Sequence, residues 1–224
     1  MKDIAVYPLC VKHLAFINYC YLVIDSSSRN ALLIDPAWEI EIIETALKSL
    51  NVKLQGILLT HSHFDHINLA SHFAVHYQIP VYMSQAEITY YHFQCPHLFA
   101  IEEFRPFELG GITIQPIFTP GHTAGGTSYL IEENLFCGDT LFIEGCGFCS
   151  SKGGNPEIMF ETLQNLKNTI STRTIIYPGH CYGTPVGQTF DYVLKNNIYL
   201  QIPSKEIFIA YRMRENQNNI FNFK

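Results

Sequence analysis

Long apolar runs are missing from this 224-residue chain; none approaches the roughly 18 to 20 residues that cross a bilayer, which argues against a membrane-spanning protein. Charge is scarce. Charged residues make up 15% of the chain against 47% hydrophobic, enough apolar material for a large core and too little charge for a disordered segment. Positive charge is scarcer still: 14 Lys+Arg stand against 20 Asp+Glu, the formal net charge is -6, and no window gathers the Lys/Arg cluster that a phosphate backbone needs. Nucleic acid is therefore not expected as a ligand. The first 30 residues do not run through a basic start, an apolar block and a small-residue cleavage site in that order, so no export signal is expected. The seven cysteines, at 10, 20, 95, 137, 146, 149 and 181, are an odd number in a chain able to build its own core, so reduced thiols in a cytoplasm are the expectation.

Repeats, low-complexity tracts and Pro/Ser-rich linkers are absent as well, and the length suits one domain over 1–224, with a short docked C-terminal helical piece from about residue 186. Apolar runs predict strands at Cys20 to Ile24, Ala31 to Ile34 and Gly56 to Leu59, and the spacing over Glu39 to Leu50 predicts an amphipathic helix. A sheet meander is predicted after residue 110, through Ile112 to Phe118, Ser128 to Ile131 and Leu135 to Cys137. Pro156 marks a helix start, and Thr174 to Tyr177 reads as one more strand.

The segment Thr60-His61-Ser62-His63-Phe64-Asp65-His66 follows an apolar strand and packs three histidines and an aspartate into six residues. A loop leaving a strand can point His61 and His63 one way and Asp65 with His66 another, so the segment can serve two neighbouring metal ions; imidazole and carboxylate suit zinc, with iron and manganese as competitors. Three later turns, Pro120-Gly121-His122, Gly138-Asp139 and Pro178-Gly179-His180, each follow an apolar strand and each offer one further ligand type. A glycine before the ligand lets the backbone turn and approach an ion, one cause for Gly121, Gly138 and Gly179 alike. His72 and His76 on the following helix, and His92 and His97 near Cys95, read as surface or packing residues. Cys146 and Cys149 have redox-type spacing without the thioredoxin-like context and read as structural thiols lining the pocket. Asp35, at a strand end, reads as a hydrogen-bonding turn residue.

The order HxHxDH, GH, GD, GH resembles the metallo-β-lactamase superfamily, and Asn18-Tyr19, the segment GDTLFIEGCG at 138–147 and the Pro-Gly-His turn at 178–180 are similar to glyoxalase II and its relatives. The resemblance implies an α+β fold, an αββα sandwich with the metal site at one edge. It implies that His61, His63 and His122 hold one ion, that Asp65, His66 and His180 hold a second, and that Asp139 bridges them. Two divalent ions about 3.5 to 4 Å apart can lower the pKa of a shared water toward about 7, so the expected nucleophile is a metal-bound hydroxide; Asp65 and Asp139 are the candidate catalytic residues.

Phe148 follows Gly-Cys-Gly where glyoxalase II enzymes carry a basic residue for the glutathione carboxylate, and the piece after His180 is shorter than their glutathione-binding portion. The combination GCGFCSSKGGNPEIMF with PGHCYGTPVGQTF is similar to the glyoxalase II-like hydrolases of bacterial trans-acyltransferase polyketide clusters. That resemblance implies hydrolysis of thioesters on acyl carrier protein, with Phe148 and Tyr182 contacting substrate and Arg212 or Lys224 meeting an acidic carrier surface. Glyoxalase II itself and an iron persulfide dioxygenase, which shares the Gly-Cys-Gly feature, are the competing expectations.

Overall fold

Residues 16–25 and 30–34 are apolar at nearly every position, which fits strands buried on both faces better than strands with one wet face. The computed structural model, which describes residues 2–102, 104–215, 217 and 223, places them in the middle of a sandwich. The first sheet runs β1 (Ile4–His13), β2 (Phe16–Asp25), β3 (Asn30–Ile34), β4 (Lys53–Leu58), β5 (Val81–Ser84) and β6 (Leu98–Ile101), hydrogen-bonded in that order. Its β1–β2–β3 portion is antiparallel and its β3-to-β6 portion parallel. The second sheet comprises β7 (Phe107–Leu109), β8 (Ile112–Phe118), β9 (Thr127–Ile131), β10 (Asn134–Gly138), β11 (Ile175–Pro178) and β12 (Gln188–Thr189), with only the β10–β11 pairing parallel.

Alternation along each strand divides the apolar residues among three cores. In β2 and β3, Cys20, Leu22, Ile24, Ala31 and Leu33 face helices α1 (Ile40–Ser49) and α3 (Ala70–Tyr77), whereas Tyr21, Val23, Leu32 and Ile34 face the other sheet. Phe136 and Tyr129 answer from β10 and β9 across the inter-sheet layer, and Leu135 and Cys137 point outward under α5 (Pro156–Thr169), α6 (Phe190–Asn196), α7 (Ile198–Gln201) and α8 (Lys205–Arg212). Each fully buried leucine or isoleucine contributes about 1.5 to 3 kcal/mol. The layers are helix, sheet, sheet, helix, the αββα sandwich the resemblance implies. Helix α5 begins where Pro156 predicts: the Asn155 side chain accepts from the Glu157 and Ile158 amides and caps the helix.

Strand β1 is not predicted by the sequence. It lies at the sheet edge with most residues partly exposed and carries Pro8, so its apolar residues neither run unbroken nor alternate cleanly. No helix among the described residues is long and apolar enough to cross a membrane.

Candidate metal centre

Strand β4 ends at Leu58, and the chain continues through Thr60 to His63 before the single-turn helix α2 (Phe64–Ile67). His61 and His63 leave the loop and Asp65 and His66 leave the helical turn. From the second sheet, His122 comes from the loop after β8, Asp139 follows β10, and His180 follows β11. The ligand atoms of His61, His63 and His122 lie within 4.8 Å of one another, and so do those of Asp65, His66 and His180. Each cluster therefore draws on both sheets. Asp139 stands between them: Oδ1 is 3.4 Å from His66 Nε2, and Oδ2 is 3.6 Å from His122 Nε2 and 3.5 Å from His180 Nε2. All seven predicted ligands are brought together.

Four imidazoles are held by Nδ1. His61 meets Thr60 Oγ1 at 3.0 Å, His66 the Asp35 carboxylate at 3.0 Å, His122 the Phe148 carbonyl at 2.7 Å and His180 the Ile17 carbonyl at 2.7 Å. Fixing Nδ1 aims Nε2 inward, the arrangement that orients metal-binding histidines. His63 differs, with Nδ1 2.9 Å from His122 Nε2. His61 Nε2, His66 Nε2 and Asp139 Oδ1 are buried without a hydrogen bond, which would be costly in a site meant to stay empty and suits one that takes cations. The donor set, imidazole nitrogen with carboxylate oxygen, fits zinc, iron or manganese.

Electrostatics agree. Burial lowers the pKa of His61 and His63, and takes His122 down to about 4, so these rings are neutral and ready to donate a lone pair. Burial opposes charge on His66 too, yet the Asp139 and Asp65 carboxylates override it and raise its pKa well above the ordinary value. Burial pushes both aspartates up, but His66 and His180 dominate and hold Asp65 and Asp139 below the usual carboxylate range.

The glycines before the ligands have two causes, not the single one expected. Gly138 has φ +48° and Gly121 φ +133°, backbone that a side chain would strain; Gly179 has no positive φ and is needed because a Cβ would lie 2.4 Å from His66 Cε1 and 2.6 Å from Asp139 Oδ1.

A cleft of about 280 Å³ opens onto this floor, bordered by His63, Asp65, Asp139 and His180 below and by Phe16, Phe64, Phe148, Ser151, Tyr182 and Phe223 around it. Phe148 and Tyr182, the expected substrate contacts, thus border the cleft. Arg212 does not meet the solvent: it is 4% exposed, donating to the Cys146 carbonyl and the Tyr199 hydroxyl, so it ties α8 to the loop whose Phe148 carbonyl holds His122. Lys224 lies outside the described residues. Cys146 and Cys149 are buried in the outer core and do not border the cleft; burial pushes both thiols up to about 12, which makes them inert.

The family model of the metallo-β-lactamase superfamily matches residues 14–180. The chain belongs to this superfamily. Among its relatives, the "Probable polyketide biosynthesis zinc-dependent hydrolase BaeB" of Bacillus velezensis is 47% identical over 98% of this chain and 97% of its own length. The cytoplasmic hydroxyacylglutathione hydrolase of Saccharomyces cerevisiae is 31% identical over 74% of this chain and 64% of its own length. The crystal structure of ETHE1 from Myxococcus xanthus shares the fold, with a TM-score of 0.80 and 24% identity over 97% of this chain and 95% of that one.

This superfamily member also carries supports that its motifs do not announce. Asp35 accepts from the Thr60 amide at 2.8 Å and the Thr60 hydroxyl at 2.6 Å besides holding His66, consistent with the hydrogen-bonding role expected of it. Buried Glu87, in α4 (Gln85–Tyr91), accepts from the Ser62 amide and hydroxyl and from the Gly125 amide, tying the histidine loop to the loop bearing His122. The Trp38 indole donates to Asn18 Oδ1 at 2.7 Å, and Asn18 Nδ2 donates to the Asp65 carboxylate at 3.1 Å. Asn18 has a sequence signal in its place in the Asn-Tyr pair and Asp35 in its place at a strand end; Glu87 and Trp38 have none.

Proposed function

We propose that this chain is a dinuclear zinc hydrolase of acyl thioesters, acting in the cytoplasm on acyl groups borne by an acyl carrier protein of a bacterial polyketide pathway. His61, His63 and His122 would hold one ion and Asp65, His66 and His180 the other, with Asp139 placed to serve both. The placement of Asp139 carries the reading: one carboxylate lies within 3.4–3.6 Å of histidines from both clusters. When bound, the metal supplies a water nucleophile of lowered pKa and a Lewis acid for the acyl oxygen.

Asp65 is ionised, oriented by Asn18 and borders the cleft, so it is the acceptor that orients the attacking water. Tyr182 stays protonated because burial raises its phenol pKa, and it serves as a hydrogen-bond donor toward the substrate. A thiolate leaves without a strong proton donor, which suits a cleft whose carboxyl groups among the described residues, Asp65 and Asp139, are held ionised. Phe148 borders the cleft with its ring 6.4 Å from that of His63 and offers no charge to a glutathione carboxylate. The name of the Bacillus relative supports the same choice.

Elemental analysis together with hydrolysis of one acyl group on carrier protein, coenzyme A and glutathione tests this. Two zinc ions per chain and the highest kcat/KM on the carrier protein are expected. A glutathione preference would restore glyoxalase II; a single iron with oxygen uptake on a persulfide would establish the dioxygenase.

A further inference from the structure

We infer that the aromatic side chains around the cleft form a pocket for an apolar acyl chain, and that Phe223, next to the last residue of the sequence, sets how much of that chain is bound. The inference rests on the thioester reading for the identity of the group that enters. It rests on the structure for the pocket's chemistry. Phe16, Phe64, Phe148, Tyr182 and Phe223 border a cleft of about 280 Å³, and its other neighbours among the described residues are the metal-site side chains below and Ser151. Five aromatic groups above a polar floor suit a ligand with one reactive polar end and an apolar remainder. A short hydroxyacyl group would leave most of these faces uncovered.

Phe223 links several parts of the site. Its ring lies 4.0 Å from that of His180 at 13°, 5.4 Å from Tyr182 and 6.5 Å from Phe16. It therefore joins a wall residue at the start of β2 to one just after β11, directly beside a floor histidine. Beside the other ligand cluster Phe148 lies nearly parallel to His63, with ring centroids 6.4 Å apart at 12°. An acyl chain between these faces extends from the reacting carbon along aromatic surface.

The chain has a single tryptophan, and Trp38 has its ring 5.6 Å from Phe64 and 6.0 Å from Phe16, so its fluorescence reports on the cleft mouth. The zinc-loaded protein is titrated with pantetheine ketones in which CH2 replaces the thioester sulfur, the arm held constant and the acyl group lengthened from acetyl to octanoyl. Kd is expected to tighten about fourfold per methylene until the pocket is full, the ratio for about 0.8 kcal/mol. Phe223→Ala should flatten that slope, while Phe223→Leu, which keeps an apolar wall, should retain most of it. Equal Kd values from acetyl to octanoyl, or an unchanged slope in Phe223→Ala, would overturn the inference and give the wall to the pantetheine arm or to packing. A steep slope in a protein that hydrolyses no thioester would leave the pocket standing and remove the reaction; equal hydrolysis of acetyl and octanoyl carrier thioesters would do the reverse.

Discussion

The floor and the wall of the cleft are built by different means. Every floor histidine except His63 is pinned through Nδ1 by a carbonyl, carboxylate or hydroxyl, and Asp65 is pinned by Asn18. The wall is made of rings at positions 16, 64, 148, 182 and 223, with Phe223 tilted against Phe16 and edge-on to Tyr182 and Phe148 parallel to His63. Directed hydrogen bonds fix an atom to a few tenths of an ångström, whereas apolar contact fixes a surface and tolerates exchange of one ring for another. The floor should therefore be intolerant of substitution and common to many substrates, and the wall tolerant and decisive for choosing among them.

The sharpest way to break that contrast is Asp139→Ala against Tyr182→Phe. The first removes the carboxylate between the two clusters and should lower kcat by on the order of 10²–10³ with loss of bound metal. The second removes one hydrogen bond, worth about 1 kcal/mol, or roughly fivefold. Steady-state kinetics with metal analysis decides it, and comparable losses from both would show that the floor is not special.

Next is Asp35→Asn, which touches neither metal nor substrate. It weakens the acceptor for His66 Nδ1 and for Thr60, and should cost about 10- to 100-fold in metal affinity, measured by competition with a chelating dye, without changing discrimination among acyl groups. A wall substitution should do the opposite. Phe148→Lys should raise the glutathione-to-carrier ratio of kcat/KM about tenfold or more, since a charge-assisted bond to the glycyl carboxylate is worth about 1.5 to 3 kcal/mol, and leave metal content alone.

The smallest effect concerns pH. In the metal-free protein burial depresses the His122 pKa to about 4 from an ordinary 6.5. Between those values the unfolded chain binds the proton and the folded one does not, so stability falls as pH drops through the window and levels off below it. His61 and His63 act in the same direction, and His66, raised by its carboxylates, acts in the other. Thermal unfolding of the chelator-treated protein should show a Tm that declines from pH 6.5 toward 4, with a shallower decline in His122→Gln and an unaltered one in Phe148→Ala.

The same contrast explains what could be read from the sequence. His61, His63, Asp65 and His66 are legible because a strand, a loop and one helical turn place them by local geometry alone, and His122, Asp139 and His180 because each sits in a glycine turn after an apolar run. The doubly buried strands are legible for the same reason. Phe16, Phe64 and Phe223 carry no such mark, since an aromatic residue in a strand or loop is ordinarily core. Asp35 is legible as a hydrogen-bonding residue but not its partners Thr60 and His66, and Glu87 is hidden altogether, because a buried carboxylate is defined by the groups that surround it, which come from distant segments. Arg212 reads as a docking charge in sequence and lies buried in the structure because the end of α8 turns it toward the Cys146 carbonyl.

Each ligand cluster takes its members from both sheets, two side chains following β4 and one from a turn of the second sheet. An ion gripped that way is a rivet through the seam of the sandwich, and the free energy of its capture is also free energy that fastens one half of the molecule to the other. The seam needs such a fastener most where the charged and imidazole groups gather, because no apolar contact can close there. Stripping the metal would then loosen the edge where the cleft opens before it disturbs the aromatic layer around Tyr21, Tyr129 and Phe136 deeper between the sheets. Catalytic competence and mechanical closure of that edge are consequences of the same few bonds.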